Sequence, residues 1–394
     1  MNELPVGRRV AQWRVRRNMT QQQFADRLGK SKSWVDKVER GARRLERVSS
    51  LRAVADALRI DVEVLLADRS GGRSDPAVDA VEGVRGALSR YHVSGSARPP
   101  DPAELWARLG HAEQSYRHAR YPDLLVLLPG LLDAARAARA TRPGRDTDAL
   151  LVAAYGLTAL ALVKVGQGAP AWLAADRGMT AALATDDARL AATAAVPLAQ
   201  ALRHGDRPRF ALEVALVAAH RLTPAGDTGP ATPPQRHRGP DQADESLFGT
   251  LLVQAALAAA GREDADGATM LLDQAAELAG AAQDRAAVEA ARVVAAAILG
   301  DVGAATVRHE RLVTGDGWRW LPPEHQAAYL LDVAGAYVLV GDGRRAGRAV
   351  LDAERTARGE VHDRPAARDL VAVVARSADA PPDLIRLATT LRVT

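Results

Sequence analysis

The chain has 394 residues, 47% hydrophobic and 25% charged, the balance of a folded globular protein rather than a disordered one. It contains no cysteine, which excludes a disulfide framework, a thiolate metal site and a cysteine nucleophile. The net charge of +4 is unevenly spread: residues 1–70 hold 16 Lys and Arg against 9 Asp and Glu, and the remainder holds 36 against 39. A basic first sixth on a near-neutral body points to a polyanion partner at that end. The opening MNELPVGRRV has no apolar signal core. No uncharged apolar run of about 18 residues is present to span a bilayer, and the expectation is a cytoplasmic protein.

Only four residues are lysine: Lys30, Lys32, Lys37 and Lys164. In a chain otherwise served by arginine, a bias that looks like that of a high-GC bacterial genome, three lysines within eight positions stand out. They fall inside a run of short predicted helices. Gly7 to Asn18 places Val10, Trp13 and Arg17 on one helical spacing. Thr20 opens a second helix, with Gln23 placed to reach back and complete a capping box. Phe24, Ala25 and Leu28 form its apolar face, and Gly29 ends it. Ser31 caps a third helix with Val35 and Val38 inward, and Gly41 stops it. Leu51, Val54, Ala55 and Leu58 mark a fourth helix, and Val62, Leu65 and Leu66 a short fifth.

The pattern Thr20-Gln21-x-x-Phe24-Ala25-x-x-Leu28-Gly29-x-Ser31-x-x-x-Val35-x-x-Val38-Glu39-Arg40-Gly41, followed by Leu51-x-x-Val54-Ala55-x-x-Leu58, resembles the XRE/Cro family of helix-turn-helix repressors. The resemblance spans about sixty residues and implies double-stranded DNA as partner, with the third helix in the major groove. It assigns base reading to Lys32, Ser33 and Lys37 and a phosphate or base contact to Gln21. A lysine donates to the guanine edge and a serine pairs with several bases. Lys30 stands where the family usually has a small apolar residue and is open to two readings, a further phosphate contact or a change in the tilt of the turn. Arg40 is read as an outward, DNA-facing residue of the third helix, and Arg43 and Arg44 after it as backbone anchors, which position without specifying. Trp34 is open to two readings, packing on DNA or on neighbouring protein.

Residues 69–102 hold two Gly/Ser/Pro-rich stretches around one predicted helix and read as a linker. The expected domains are thus 1–68, a helix-turn-helix unit, and 103–394, a helical repeat. The latter is rich in Ala and Leu, with turn glycines at 166, 205, 261, 300 and 341, spaced 39, 56, 39 and 41 apart. The long interval contains a Pro/Gly/Thr-rich insert at 223–244, and removing about 17 residues restores a period near 40, that of a helical solenoid. Ala334, Tyr337, Gly341-Asp342, Ala346, Val350 and Ala353 are similar to the tetratricopeptide repeat, whose own period is about 34. The fold class expected is all-α, a five-helix head followed by a tetratricopeptide-like α-solenoid.

Lys164 and Arg203 lie 39 residues apart, each two before its turn glycine. In a regular repeat they stack on one face and suit a carboxylate, with Tyr155 and Gln200 in register to join them. The competing reading is solvated helix ends complementing the dipole. Trp318 and Trp320 sit in a Gly/Pro-bounded loop, read first as an anchor onto the core. His111 and His118 lack an evident third ligand for a metal. Gly29-Lys30-Ser31 fails as a phosphate loop because Phe24 stands where its first glycine belongs. No catalytic constellation is evident, nothing calls for a cofactor, and the chain reads as a non-enzyme.

The layout also looks like helical-repeat quorum-sensing regulators, in which such a head precedes a peptide-binding body. Those regulators typically hold the peptide backbone with asparagines, whereas the only asparagines here are Asn2 and Asn18. The expectation is a sequence-specific transcriptional regulator, homodimeric on two-fold DNA, whose body senses a small molecule or peptide. The alternative is a protein-interaction scaffold with a DNA-tethering head.

Overall fold

The computed structural model describes residues 6–17, 19–41, 43, 48–58, 60, 76–90, 101–222 and 242–393. It divides into two compact units, Met1–Asp75 and Pro76–Thr394.

The first unit contains α1 (Val6–Arg16), α2 (Gln21–Leu28), α3 (Lys32–Glu39) and α4 (Val48–Leu58). The local chemistry fixes the boundaries. Thr20 Oγ1 accepts from the Gln23 amide at 3.2 Å and Gln23 Oε1 accepts from the Thr20 amide at 2.9 Å, the expected capping box. Gly29 ends α2 in the left-handed region at φ 62°, and the Ser31 hydroxyl caps α3 through the Trp34 amide at 3.2 Å. Val10, Phe24, Ala25, Val35, Val54, Ala55 and Leu58 make the core these helices share. The predicted fifth helix at Val62 to Leu66 lies outside the described residues.

The second unit begins with α5 (Pro76–Ser89) and continues as helical hairpins. These are α6 (Pro102–Arg117) with α7 (Tyr121–Thr141), α8 (Arg145–Lys164) with α9 (Gly168–Leu183), and α10 (Ala188–His204) with α11 (Pro208–Leu222). Next come α12 (Gln242–Ala260) with α13 (Ala265–Leu278), and α14 (Ala282–Ile298) with α15 (Val302–Thr314). After a 3-10 turn at Trp318–Trp320 follow α16 (Pro323–Leu339) with α17 (Gly343–Thr356), the short α18 (Arg358–His362), and α19 (Pro365–Ala375) with α20 (Pro382–Leu391). There is no strand among the described residues.

The hairpin turns explain the Gly-Asp signal in the sequence. Gly300 and Gly341 take φ of 80° and 75°, ending one helix in the left-handed conformation. Asp301 and Asp342 then cap the next helix through the Ala304 and Arg345 amides, each at 2.9 Å. At two other expected turns the left-handed position moves past the glycine, to Asp206 (φ 56°) and Glu263 (φ 63°). Alanines dominate the interface: Ala154, Ala159, Ala174, Ala199, Ala255, Ala334, Ala346 and Ala353 are fully buried. Such small side chains let paired helices approach closely.

Two features depart from the sequence reading. The helix expected inside the linker, α5, packs into the second unit's core through Val84, Ala87 and Leu88. Arg136 satisfies its end by donating to the Ala87 and Arg90 carbonyls at 2.7 and 2.6 Å. The repeat also curls until distant parts meet: Gly166 sits against the Pro365 ring, and the Tyr121 hydroxyl donates to Glu360. By length and composition α8 is apolar enough to cross a bilayer, but most of its apolar stretch is buried inside the fold.

Candidate nucleic-acid interface and effector cavity

In the first unit, a capped α2 and a glycine turn set α3 with Val35 and Val38 inward and Lys32, Ser33 and Lys37 outward and exposed. Lys30, just before the Ser31 cap, is exposed as well. Arg40 is exposed and paired with Asp36 one turn earlier, which orients its guanidinium along the helix end. Trp34 is half-buried at the edge of the core, and the Arg43 guanidinium stands 6.0 Å from its ring centre. Its protein-packing reading therefore has a visible partner. Arg44 lies outside the described residues.

Gln21, at the start of α2, donates from Nε2 to Glu39 Oε2 at 2.8 Å, a bond that leaves its second N–H and its Oε1 unused. Glu39 is buried and also takes two hydrogen bonds from Arg14, at 2.6 and 3.0 Å, while Arg14 donates to the Met19 carbonyl at 2.8 Å. This clamp ties α1, α2 and α3 together. The hydrogen bond from Arg14 to Glu39 raises the guanidinium pKa above its ordinary value, against the opposing effect of burial. Burial makes the shared carboxylate valuable only while all its donors remain.

In the second unit, the concave side of the repeat encloses a cavity of about 830 Å³ between α8, α10, α12, α14 and α16. Lys164, Gln200 and Arg203 line it, so three of the four residues expected to form an effector site come together. Tyr155 does not. It is buried in the α8–α9 interface, where the close approach of Gly178 covers it.

The stacked-cation arrangement is also corrected. The Lys164 ammonium is taken by the protein's own acids, Glu324 and Glu360, the latter at 2.9 Å. Arg364 pairs with Glu360 too, Tyr121 donates to it, and Tyr116 donates to Glu324 at 3.4 Å. Burial opposes the Glu360 charge, but Lys164 and Arg364 outweigh it and hold the carboxyl below its ordinary pKa. The network links residues 116–164 to 324–364, so it closes the repeat rather than waiting for a ligand.

Arg203 is different. It donates to Gln254 Oε1 at 3.1 Å, and its Nε is shut from solvent without a hydrogen-bond partner. Burial lowers its pKa, opposed by Asp332. Asp332 faces the same cavity, and burial raises its carboxyl pKa against the pull of Arg364, Lys164 and Arg203. Solvent reaches His204 from the cavity, yet protein crowds it. Its Nδ1 lies 2.9 Å from the Gln200 carbonyl, and burial together with Arg203, Arg364 and Lys164 holds its pKa down to about 4.

The sequence reading missed Gln254, Glu324, Asp332, Glu360 and Arg364. They share no motif and meet Lys164 and Arg203 only because the repeat curls. Of the two loop tryptophans, Trp318 packs 5.5 Å from the Tyr329 ring, and Trp320 is exposed beside Arg319. His111 is exposed and His118 caps α6 against Gln114. Among the described residues no group of three or more His, Asp or Glu is placed to hold a metal.

Residues 5–67 match the family described as Helix-turn-helix domain. No curated protein sequence matches the chain. Among solved structures, that of Bacillus thuringiensis PlcR in complex with the peptide PapR7 and DNA is similar at 12% identity, over 79% of this chain and 100% of that one, with a TM-score of 0.30. The PrgX/cCF10 complex is similar at 12% identity over 90% and 92%, TM-score 0.33. Aspartyl phosphate phosphatase F from Bacillus subtilis is similar at 12% identity over 90% and 94%, TM-score 0.43. Residues 5–67 thus carry a helix-turn-helix domain, and a body of helical hairpins follows it along the chain.

Proposed function

We propose that the protein is a DNA-binding transcription regulator whose helical-repeat body senses an effector and holds two copies together on a two-fold DNA site. The observation that carries this reading is the row Lys32, Ser33 and Lys37 on the outer face of α3, with Lys30 beside its capped start. A recognition helix presents its N-terminal residues to base edges in this way. One small head buries too little DNA for tight binding, which favours a pair of heads. The cavity supplies the sensing half: an effector that binds one arrangement of the body better shifts the DNA-competent population. The geometry serves binding and signalling rather than catalysis.

The domain boundaries proposed are a helix-turn-helix head over 1–68 and a repeat body that begins with α5. Selection of genomic fragments on the purified protein at two salt concentrations, followed by sequencing, tests the reading. An enriched two-fold site that persists at the higher salt is the expected result. Salt-sensitive binding without enrichment contradicts a specific regulator.

A further inference from the structure

The cations in the cavity wall are not equally partnered. Lys164 and Arg364 are matched by Glu324 and Glu360 through short ion pairs. Arg203 has the neutral carbonyl of Gln254 on one terminal nitrogen and, among the described residues, no acceptor for its buried Nε–H. A buried donor without a partner is costly and rare in a folded protein, and each instance calls for an explanation. A guanidinium is protonated at any working pH, so Arg203 cannot relieve the cost by losing its proton.

The rest of the wall is apolar. Leu160, Val253, Leu257, Val294, Ile298 and Leu331 line the same space. A cavity of about 830 Å³ falls in the range that holds a small organic molecule, mostly by apolar contact with a few placed polar groups.

We infer that this cavity takes a small organic anion with an apolar body, its carboxylate pairing with the Arg203 guanidinium and its hydrocarbon lying along the α12 and α14 walls. This deepens, and rests on, the sensing role proposed above. Of the acids on the wall, Glu324 is held by Lys164, Asp284 accepts from the Ser246 hydroxyl at 3.1 Å, burial raises the carboxyl pKa of Asp332, and Glu245 lies on the α12 side. Gln200, also on the wall, offers an amide to the second carboxylate oxygen. Arg203 and Gln200 come from α10 while the apolar wall comes mainly from α12, α14 and α16. A ligand bridging them therefore contacts both halves of the curl.

The test uses the full-length protein without DNA and isothermal titration with octanoate, octanol and octylammonium. Octanoate is expected to bind at least about tenfold more tightly than either counterpart, because only it supplies an anionic acceptor to the guanidinium. Arg203→Gln is expected to weaken octanoate by about tenfold or more while leaving octanol unchanged. Ala328→Trp, which places an indole in the cavity, is expected to abolish binding of all three; circular dichroism and melting of each variant confirm that it is folded. No binding of octanoate, octanol binding as tightly as octanoate, or full octanoate affinity in Arg203→Gln overturns the inference. Because no DNA is present, failure here leaves the DNA-binding reading standing. Absence of an enriched DNA site likewise leaves this result intact.

Discussion

At the scale of single residues, the head separates two kinds of charge. Glu39 is buried and takes donors from Arg14 and Gln21, whereas Lys32 and Lys37 are exposed on the outer face of the same helix. Glu39→Ala removes the acceptor and leaves the Arg14 guanidinium, only 13% exposed, without a counter-charge. Breaking such a pair costs about 3–5 kcal/mol. Urea denaturation followed in the head alone, by fluorescence of Trp13 and Trp34 in a chain with the other tryptophans replaced, should show a loss of this size. A loss below about 1 kcal/mol would make the clamp incidental. Lys37→Ala should do something else. It is expected to cost about 1–3 kcal/mol of discrimination between cognate and random DNA while leaving stability and non-specific binding almost unchanged. Competition binding measures both affinities, and equal losses in the two would reduce Lys37 to a phosphate contact.

At the scale of elements, the five-residue α18 is out of proportion to its length. Glu360 is fully buried and collects Lys164 from α8, Arg364 from the start of α19 and Tyr121 from α7. Beside it, Gly359 has no room for a side chain: a Cβ there would lie 1.9 Å from the Ala119 carbonyl oxygen. The sequence marks neither residue, since Gly359 meets Ala119 and Glu360 meets Lys164 and Tyr121, all more than 190 positions away. Two substitutions follow. Gly359→Ala drives a methyl into a fixed backbone carbonyl, so α18 must shift away and its ion pairs must stretch. Glu360→Ala leaves Arg364 without its buried counter-charge and Lys164 with Glu324 alone, at a cost of about 3–5 kcal/mol. Hydrogen exchange should show both variants opening residues 358–391 first, with the middle hairpins protected. Uniform exchange across the body would mean that closure is not separately stabilised.

At the scale of the whole molecule, what was legible in the sequence was what local physics writes into it. The caps at Thr20 and Ser31, the Gly-Asp turns at 300 and 341, and the inward faces of α2 and α3 each depend on residues within one or two turns. The cavity was half legible. Repeat spacing brought Lys164, Gln200 and Arg203 to one wall, but spacing carries no information about the curvature that sets Glu324 and Glu360 against Lys164. Tyr155 failed for a related reason, since register along the repeat does not say which side of α8 faces its partner helix. Curvature also gathers histidines onto the concave side, and this has a consequence for stability. His204 and His325 line the cavity, and burial lowers the pKa of both, that of His204 to about 4 from an ordinary value near 6.5. A group whose folded pKa is depressed binds fewer protons in the folded state than in the unfolded one. Stability is then intact above about pH 6.5 and falls as the pH drops through the window down to about 4, where the unfolded chain takes up protons first. Glu360, also held below its ordinary value, adds a second loss beginning near 4.5, while Asp332, raised by burial, works in the opposite direction there. The melting temperature of the body should therefore decline between pH 7 and pH 5, before carboxylates titrate. His204→Gln, which keeps a side chain able to donate to the Gln200 carbonyl, should flatten that decline. An unchanged slope in the variant would place the proton uptake elsewhere.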